Sequence, residues 1–162
     1  SLEKEWDVTV VTQNVDNLHE RAGSTRVIHL HGELMKIRSV KDEDYVEELS
    51  ADDFETTPER RGRNGHPMRP HIVFFNEAVP NITPAMQLAE EADVFVVIGT
   101  SLAVYPAAML VRYARSGVPI YVVDPGNPDT SMIRNPLAHI KARAAIGMPE
   151  LAQQLIDEKN SE

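Results

Sequence analysis

The chain has 162 residues, 42% of them apolar, enough for one sizeable hydrophobic core and pointing to a single globular domain with room for a small appendage. Its 16 basic residues stand against 25 acidic ones, and the net charge of −9 argues against a nucleic-acid-binding body while suiting basic, lysine-bearing partners. The absence of cysteine excludes disulfides and thiolate metal sites and points to a reducing compartment, by default the cytoplasm, and neither a membrane span nor a secretion signal is expected.

Residues 6–12 read as a buried strand, because apolar and β-branched residues run nearly continuously up to the polar turn Gln13-Asn14-Val15-Asp16. A short strand over 27–30 leads into His31-Gly32. From 35 to 68 the pattern gives way to charge, with Lys41-Asp42-Glu43-Asp44, Glu47-Glu48 and Arg60-Arg61-Gly62-Arg63. This predicts a loop-rich excursion with a short helix near 45–49 and too little apolar content for a core of its own. A strand over 71–75 follows, then a helix capped by Thr83, opened by Pro84 and burying Ala85, Leu88, Ala89 and Ala92. Residues 94–98 suit a central strand covered on both faces. A helix from Pro106 to Gly117 is expected to turn Ala107, Leu110, Val111 and Ala114 inward. Strands over 119–123 and 139–142 come next, then a closing helix over 149–159 with Leu151 and Leu155 inward. Strands alternating with helices imply parallel βαβ units and an α/β fold.

Three groups of residues can carry chemistry. The first strand delivers an amide and a carboxylate, Asn14 and Asp16, and the second an imidazole, His31, to one sheet edge. An imidazole titrates near neutrality and can take a proton from a hydroxyl. The strand over 94–98 runs into Gly99-Thr100-Ser101, a close-approaching backbone with two hydroxyls at the carboxyl edge of a parallel sheet, where nucleotides bind; a plain strand-to-helix turn is the alternative. The next strand ends at Asp124, which can accept from ribose hydroxyls or serve the turn at Pro125-Gly126. His19 and His29 read as structural.

These segments stand in the order Gln13-Asn14-Val15-Asp16, Leu30-His31-Gly32, Arg69-Pro70-His71-Ile72-Val73-Phe74-Phe75-Asn76-Glu77 and Val97-Ile98-Gly99-Thr100-Ser101-Leu102. In that order they resemble the sirtuins, the NAD-dependent protein-lysine deacylases, over residues 6–155. The resemblance implies a Rossmann-like parallel sheet with helices on both faces, in which 1–34 and 69–162 form the NAD-binding domain and 35–68 a small loop-rich insertion. It implies His31 as general base, Asn14 orienting ribose and water, Asp16 holding the nicotinamide carboxamide and Gln13 at the ribose. Gly99, Thr100 and Ser101 would contact the adenosine and its phosphates, Asp124 the second ribose, and Ala144 and Ala145 the adenine. Val73, Phe74, Phe75, Asn76 and Glu77 would line the substrate, an acylated-lysine protein or peptide; strand core is the alternative for Phe74 and Phe75. NAD would be consumed as cosubstrate, the acyl group passing to ADP-ribose and nicotinamide leaving, with no hydride transferred.

Asn76 stands where the sirtuin pattern usually has glycine. The paired zinc-binding cysteines are missing, so a zinc-free insertion with no metal site is expected. The sirtuins' amino-terminal segment, with the first βα unit and the glycine-rich phosphate loop, has no counterpart here. The chain alone is therefore expected to show little activity and to self-associate, with neither nucleic acid nor membrane as partner. A non-catalytic NAD- or ADP-ribose-binding module and an acidic interaction fragment are the alternatives.

Overall fold

The computed structural model describes residues 2–50 and 52–161. The chain divides into two compact units, residues 9–81 and residues 1–8 with 82–162.

In the 9–81 unit, β1 (Val10–Thr12) pairs in parallel with β2 (Val27–His29), Val11 opposite Ile28. Between them lies a single helical turn, α1 (Leu18–Arg21). The expected strand over 6–12 is thus confined to its last three residues. The apolar residues ahead of it serve another purpose: Leu2 and Trp6 pack in the core of the other unit. The charged stretch also differs from expectation. It contains β3 (Gly32–Ser39) and β4 (Val46–Glu48), joined antiparallel, and β3 pairs on its other edge with β5 (Met68–Ile72), giving the order β4-β3-β5. Residues 46–48 are strand, and no helix forms near 45–49. Ile37 and Ser39 are fully buried, and in and around this sheet several charges are paired, among them Lys36 with Glu33 and Arg38 with Glu77. Arg60 makes a two-pronged contact with Asp53 at 2.7 and 2.8 Å. One Glu47 oxygen accepts from both the Tyr45 hydroxyl and the Arg63 amide.

Gly32 adopts a left-handed φ of 82°, and a Cβ there would stand 2.0 Å from the carbonyl oxygen of His71. Only glycine lets β3 start this close to β5.

In the other unit, β6 (Phe95–Ile98), β7 (Ile120–Val123) and β8 (Leu137–Ile140) form a parallel sheet in the order β6-β7-β8. Side chains of a strand alternate between faces. Accordingly Ile120 and Val122 join Val97, Leu102, Val111 and Ala114 in one cluster, while Tyr121 and Val123 join Val96, Leu151 and Leu155 in another. Both β6 and β7 are thus covered on both faces, as expected for 94–98, but of the two only β7 has a partner strand on each edge. Among the described residues β6 pairs with β7 alone, and Ile98 is 44% exposed, so the central place expected for 94–98 is not observed.

Helix α2 (Ile82–Glu91) buries Ala85 and Ala89, with Thr83 inside its first turn instead of capping it. The segment expected as a helix from Pro106 forms only a short 3₁₀ stretch, Ala107–Arg112, which still buries Ala107, Leu110 and Val111. Helix α3 (Ala144–Lys159) starts a turn and a half before Pro149 and buries Leu151 and Leu155. No helix among the described residues is long and apolar enough to cross a membrane.

Candidate active site

The turn after β1 is pinned through its main chain. The Asn14 amide donates to Thr12 Oγ1 at 3.0 Å, and the Val15 carbonyl accepts from the Leu34 amide at 2.7 Å. The Gln13 carbonyl lies 3.1 Å from His31 Nδ1. A carbonyl oxygen can only accept, so Nδ1 carries the hydrogen, and a neutral His31 keeps Nε2 as a free proton acceptor. The half-buried ring is thus held in the tautomer a base needs. Asp16 accepts from the Leu18 amide through Oδ1 at 3.0 Å, which opens α1. Asn14 is exposed, with Gln13 and Asp16 half-buried.

His29, read from the sequence as structural, belongs to this assembly. It is 5% exposed, with Nδ1 3.0 Å from the Asn14 carbonyl and Nε2 2.8 Å from Glu20 Oε1. Burial opposes a charge on its ring, but the Glu20 carboxylate and Asn14 carbonyl outweigh burial and hold its pKa above the usual histidine value. Hydrogen bonding from His29 holds Glu20 below the usual glutamate range. The signal available in the sequence was the pair His29 and His31, which straddle Leu30 and so fall on the same side of the chain.

His31 also meets the segment 73–77: its carbonyl accepts from the Val73 amide at 2.9 Å. The strand here ends at Ile72, three residues earlier than expected. Phe74 is 53% and Phe75 97% exposed, so neither is strand core. Glu77 closes the turn by accepting from the Phe74 amide at 2.9 Å and from both Arg69 terminal nitrogens, while Arg69 covers the Phe74 ring at 4.9 Å. Hydrogen bonds from Arg69 hold the Glu77 carboxyl below its usual range. Asn76 takes a φ of 69°. Asparagine tolerates that region and a β-branched residue does not, so Asn76→Val is expected to cost about 1 kcal/mol or more and Asn76→Gly to be accepted, as thermal melts will show.

The remaining residues lie in the other unit, at the carboxyl edge of its sheet. The Gly99 amide donates to the Val123 carbonyl at 3.1 Å, with Gly99 at a φ of 58° and open space where a Cβ would stand. Thr100 Oγ1 accepts from the Leu102 amide at 3.2 Å, and Ser101 is exposed. Asp124 Oδ1 accepts from Gly126 at 2.7 Å, the turn role left open by the sequence, and this leaves Oδ2 for another partner. Ala144 and Ala145 are the first two residues of α3, both exposed, and Arg143 ahead of them makes no side-chain cap. Open backbone, hydroxyls that can still donate a hydrogen, and uncapped helix amides are donors of the kind a dinucleotide phosphate and ribose accept from.

Among the described residues no group of three histidine, aspartate or glutamate side chains is arranged to hold a metal. Chelator is expected to leave the melting temperature unchanged, and elemental analysis to show substoichiometric zinc; a stoichiometric, stabilising zinc would overturn this.

The model of the Sir2 family matches residues 1–106. A protein of Bacteroides thetaiotaomicron named NAD-dependent protein deacylase is 48% identical over 96% of this chain and 67% of its own. One of the same name from Aggregatibacter actinomycetemcomitans is 54% identical over 80% of this chain and 60% of its own. A solved Sir2 homologue, a mutant in complex with ADP ribose, superposes with a TM-score of 0.80 at 32% identity, covering 96% of this chain and 62% of its own. The chain thus spans about two thirds of the length of these relatives.

Proposed function

The chain belongs to the Sir2 family, and from that premise we propose that it serves an NAD-dependent protein-lysine deacylase acting on acylated lysines of proteins or peptides. The observation that carries this reading is the Gln13 carbonyl at 3.1 Å from His31 Nδ1, which leaves Nε2 as acceptor beside the turn bearing Asn14 and Asp16.

NAD, when bound, supplies the sugar that receives the acyl group and the nicotinamide that departs. His31 Nε2 takes a proton from a ribose hydroxyl. Asn14, with its side chain free, orients ribose and water, Asp16 accepts from the nicotinamide carboxamide, and Gln13 lies at the ribose. Gly99, Thr100 and Ser101 hold the adenosine and its phosphates, Asp124 the second ribose through its free oxygen, and Ala144 and Ala145 the adenine. The exposed Phe74 and Phe75 cover the acyl-lysine, while Val73, Asn76 and Glu77 shape the backbone that the extended peptide meets. The cysteine-free, acidic composition supports action in the cytoplasm on basic protein segments.

The full-length protein, given NAD and acetyl-lysine or acidic acyl-lysine peptides, is expected to release nicotinamide only when the peptide is acylated. Binding of ADP-ribose without any release would favour a non-catalytic binding module instead.

A further inference from the structure

We propose that Glu20 and His29 are positioning residues that set the Asn14–Asp16 turn for catalysis by clamping the Asn14 carbonyl. The inference rests on the reading of that turn as catalytic.

The imidazole of His29 bridges two points of one short segment, the Asn14 carbonyl at 3.0 Å and Glu20 Oε1 at 2.8 Å. The carbonyl requires a hydrogen on Nδ1, and a carboxylate facing Nε2 requires a second, so the ring is an imidazolium. Glu20 is 41% exposed, which keeps its carboxylate solvated and ionised while the buried ring holds the proton. Residues 14–20 thereby become a closed loop: Asp16 opens α1 by accepting from Leu18, Glu20 on α1 grips His29, and His29 returns to Asn14. His29 itself cannot drift, because Asn81 Nδ2 donates to its carbonyl at 2.8 Å. Of the other titratable groups, Glu33 on β3 favours the charged ring, and His19 on α1 favours an ionised Glu20.

Asn14 needs such a device. Its side chain is exposed, and among the described residues the only side-chain hydrogen bond to its amide is local, to Thr12. An exposed catalytic amide on a turn is held only as well as its main chain, and misplacement by about 1 Å can cost on the order of a hundredfold in rate.

The clamp has two pH limits. His29 has a raised pKa, so the stability of the pair is fully present below the ordinary histidine value of 6.5 and is lost as pH rises through the raised one. Glu20 has a lowered pKa, so its contribution is present above 4.5 and is lost as pH falls through the lowered one.

The test is steady-state nicotinamide release by the full-length protein across pH, with an acylated-lysine peptide, for wild type, Glu20→Ala, Glu20→Gln and His29→Gln. Glu20→Ala is expected to lower kcat about tenfold or more with KM for the peptide nearly unchanged, and to move the alkaline limb of the kcat profile to lower pH. Glu20→Gln retains an acceptor and should recover part of kcat but keep the shifted limb. Glu20 lies at the surface, so this variant folds even if those at His29 do not, and imidazole titration by NMR should show the His29 pKa falling in Glu20→Gln. An active wild type beside a Glu20→Ala enzyme of unaltered kcat and pH profile overturns the clamp alone. A wild type that releases no nicotinamide overturns the catalytic reading of the turn, and the clamp with it.

Discussion

Replacement of His31 by Ala or Tyr in the full-length protein is expected to cut deacylation by about a hundredfold or more while NAD binding largely persists. General-base catalysis contributes on the order of 10²–10⁴-fold, and His31 has its tautomer fixed by the Gln13 carbonyl so that Nε2 can accept. His29, the other imidazole bound to the same turn, cannot substitute. Both of its nitrogens are engaged, at 3.0 and 2.8 Å, and it is 5% exposed. Acylated-peptide-dependent nicotinamide release measures the loss, and calorimetry with NAD measures what is retained. Near-normal turnover in His31→Ala would remove this residue from the mechanism.

Gly32→Ala is expected to destabilise the 9–81 unit by roughly 3 kcal/mol or more, because two penalties add. The backbone sits at a φ of 82°, where a Cβ is strained, and that Cβ would meet the His71 carbonyl oxygen at 2.0 Å, far inside contact distance. The obstacle is main chain, so no rotamer change relieves it, and β3 must part from β5 at Gly32 opposite Ile72. The Val73 amide bond to the His31 carbonyl lies beside that point, so activity should fall with stability. At about 2–4 °C of melting temperature per kcal/mol, the midpoint should drop by about 6 °C or more. An unchanged midpoint would mean that the two strands separate freely.

The turn proposed as catalytic could be placed from the sequence because its setting is local: Gln13 to Asp16 follow a β-branched strand directly, and His31-Gly32 follows another. The parallel strands β6 and β7 were legible for the same reason, as runs of Val and Ile. Which of them is central was not, since 94–98 and 119–123 are equally apolar and only pairing distinguishes them. Strands β3 and β4 were hidden because Lys36, Arg38, Glu47 and Glu48 sit at strand positions, with Lys36 met by Glu33, Arg38 by Glu77, and Glu47 by the Tyr45 hydroxyl and the Arg63 amide. Propensity treats such residues as loop; a long-range partner makes them strand. Trp6 misled in the opposite sense, its apolar bulk serving α3, where Lys159 lies over its ring at 4.8 Å. The role of Glu20 was out of reach because it depends on a contact nine residues away through a buried ring.

Strand β7 gives two clusters a common spine, since Ile120 and Val122 belong to one and Tyr121 and Val123 to the other. Neither layer can melt and leave its neighbour intact, for each would strip the other of half its support. The amides of β7 should therefore exchange their hydrogens only when the whole unit opens, making them the slowest in its sheet. The amides of β4, whose Val46 and Glu48 are exposed, should exchange through local fraying long before that.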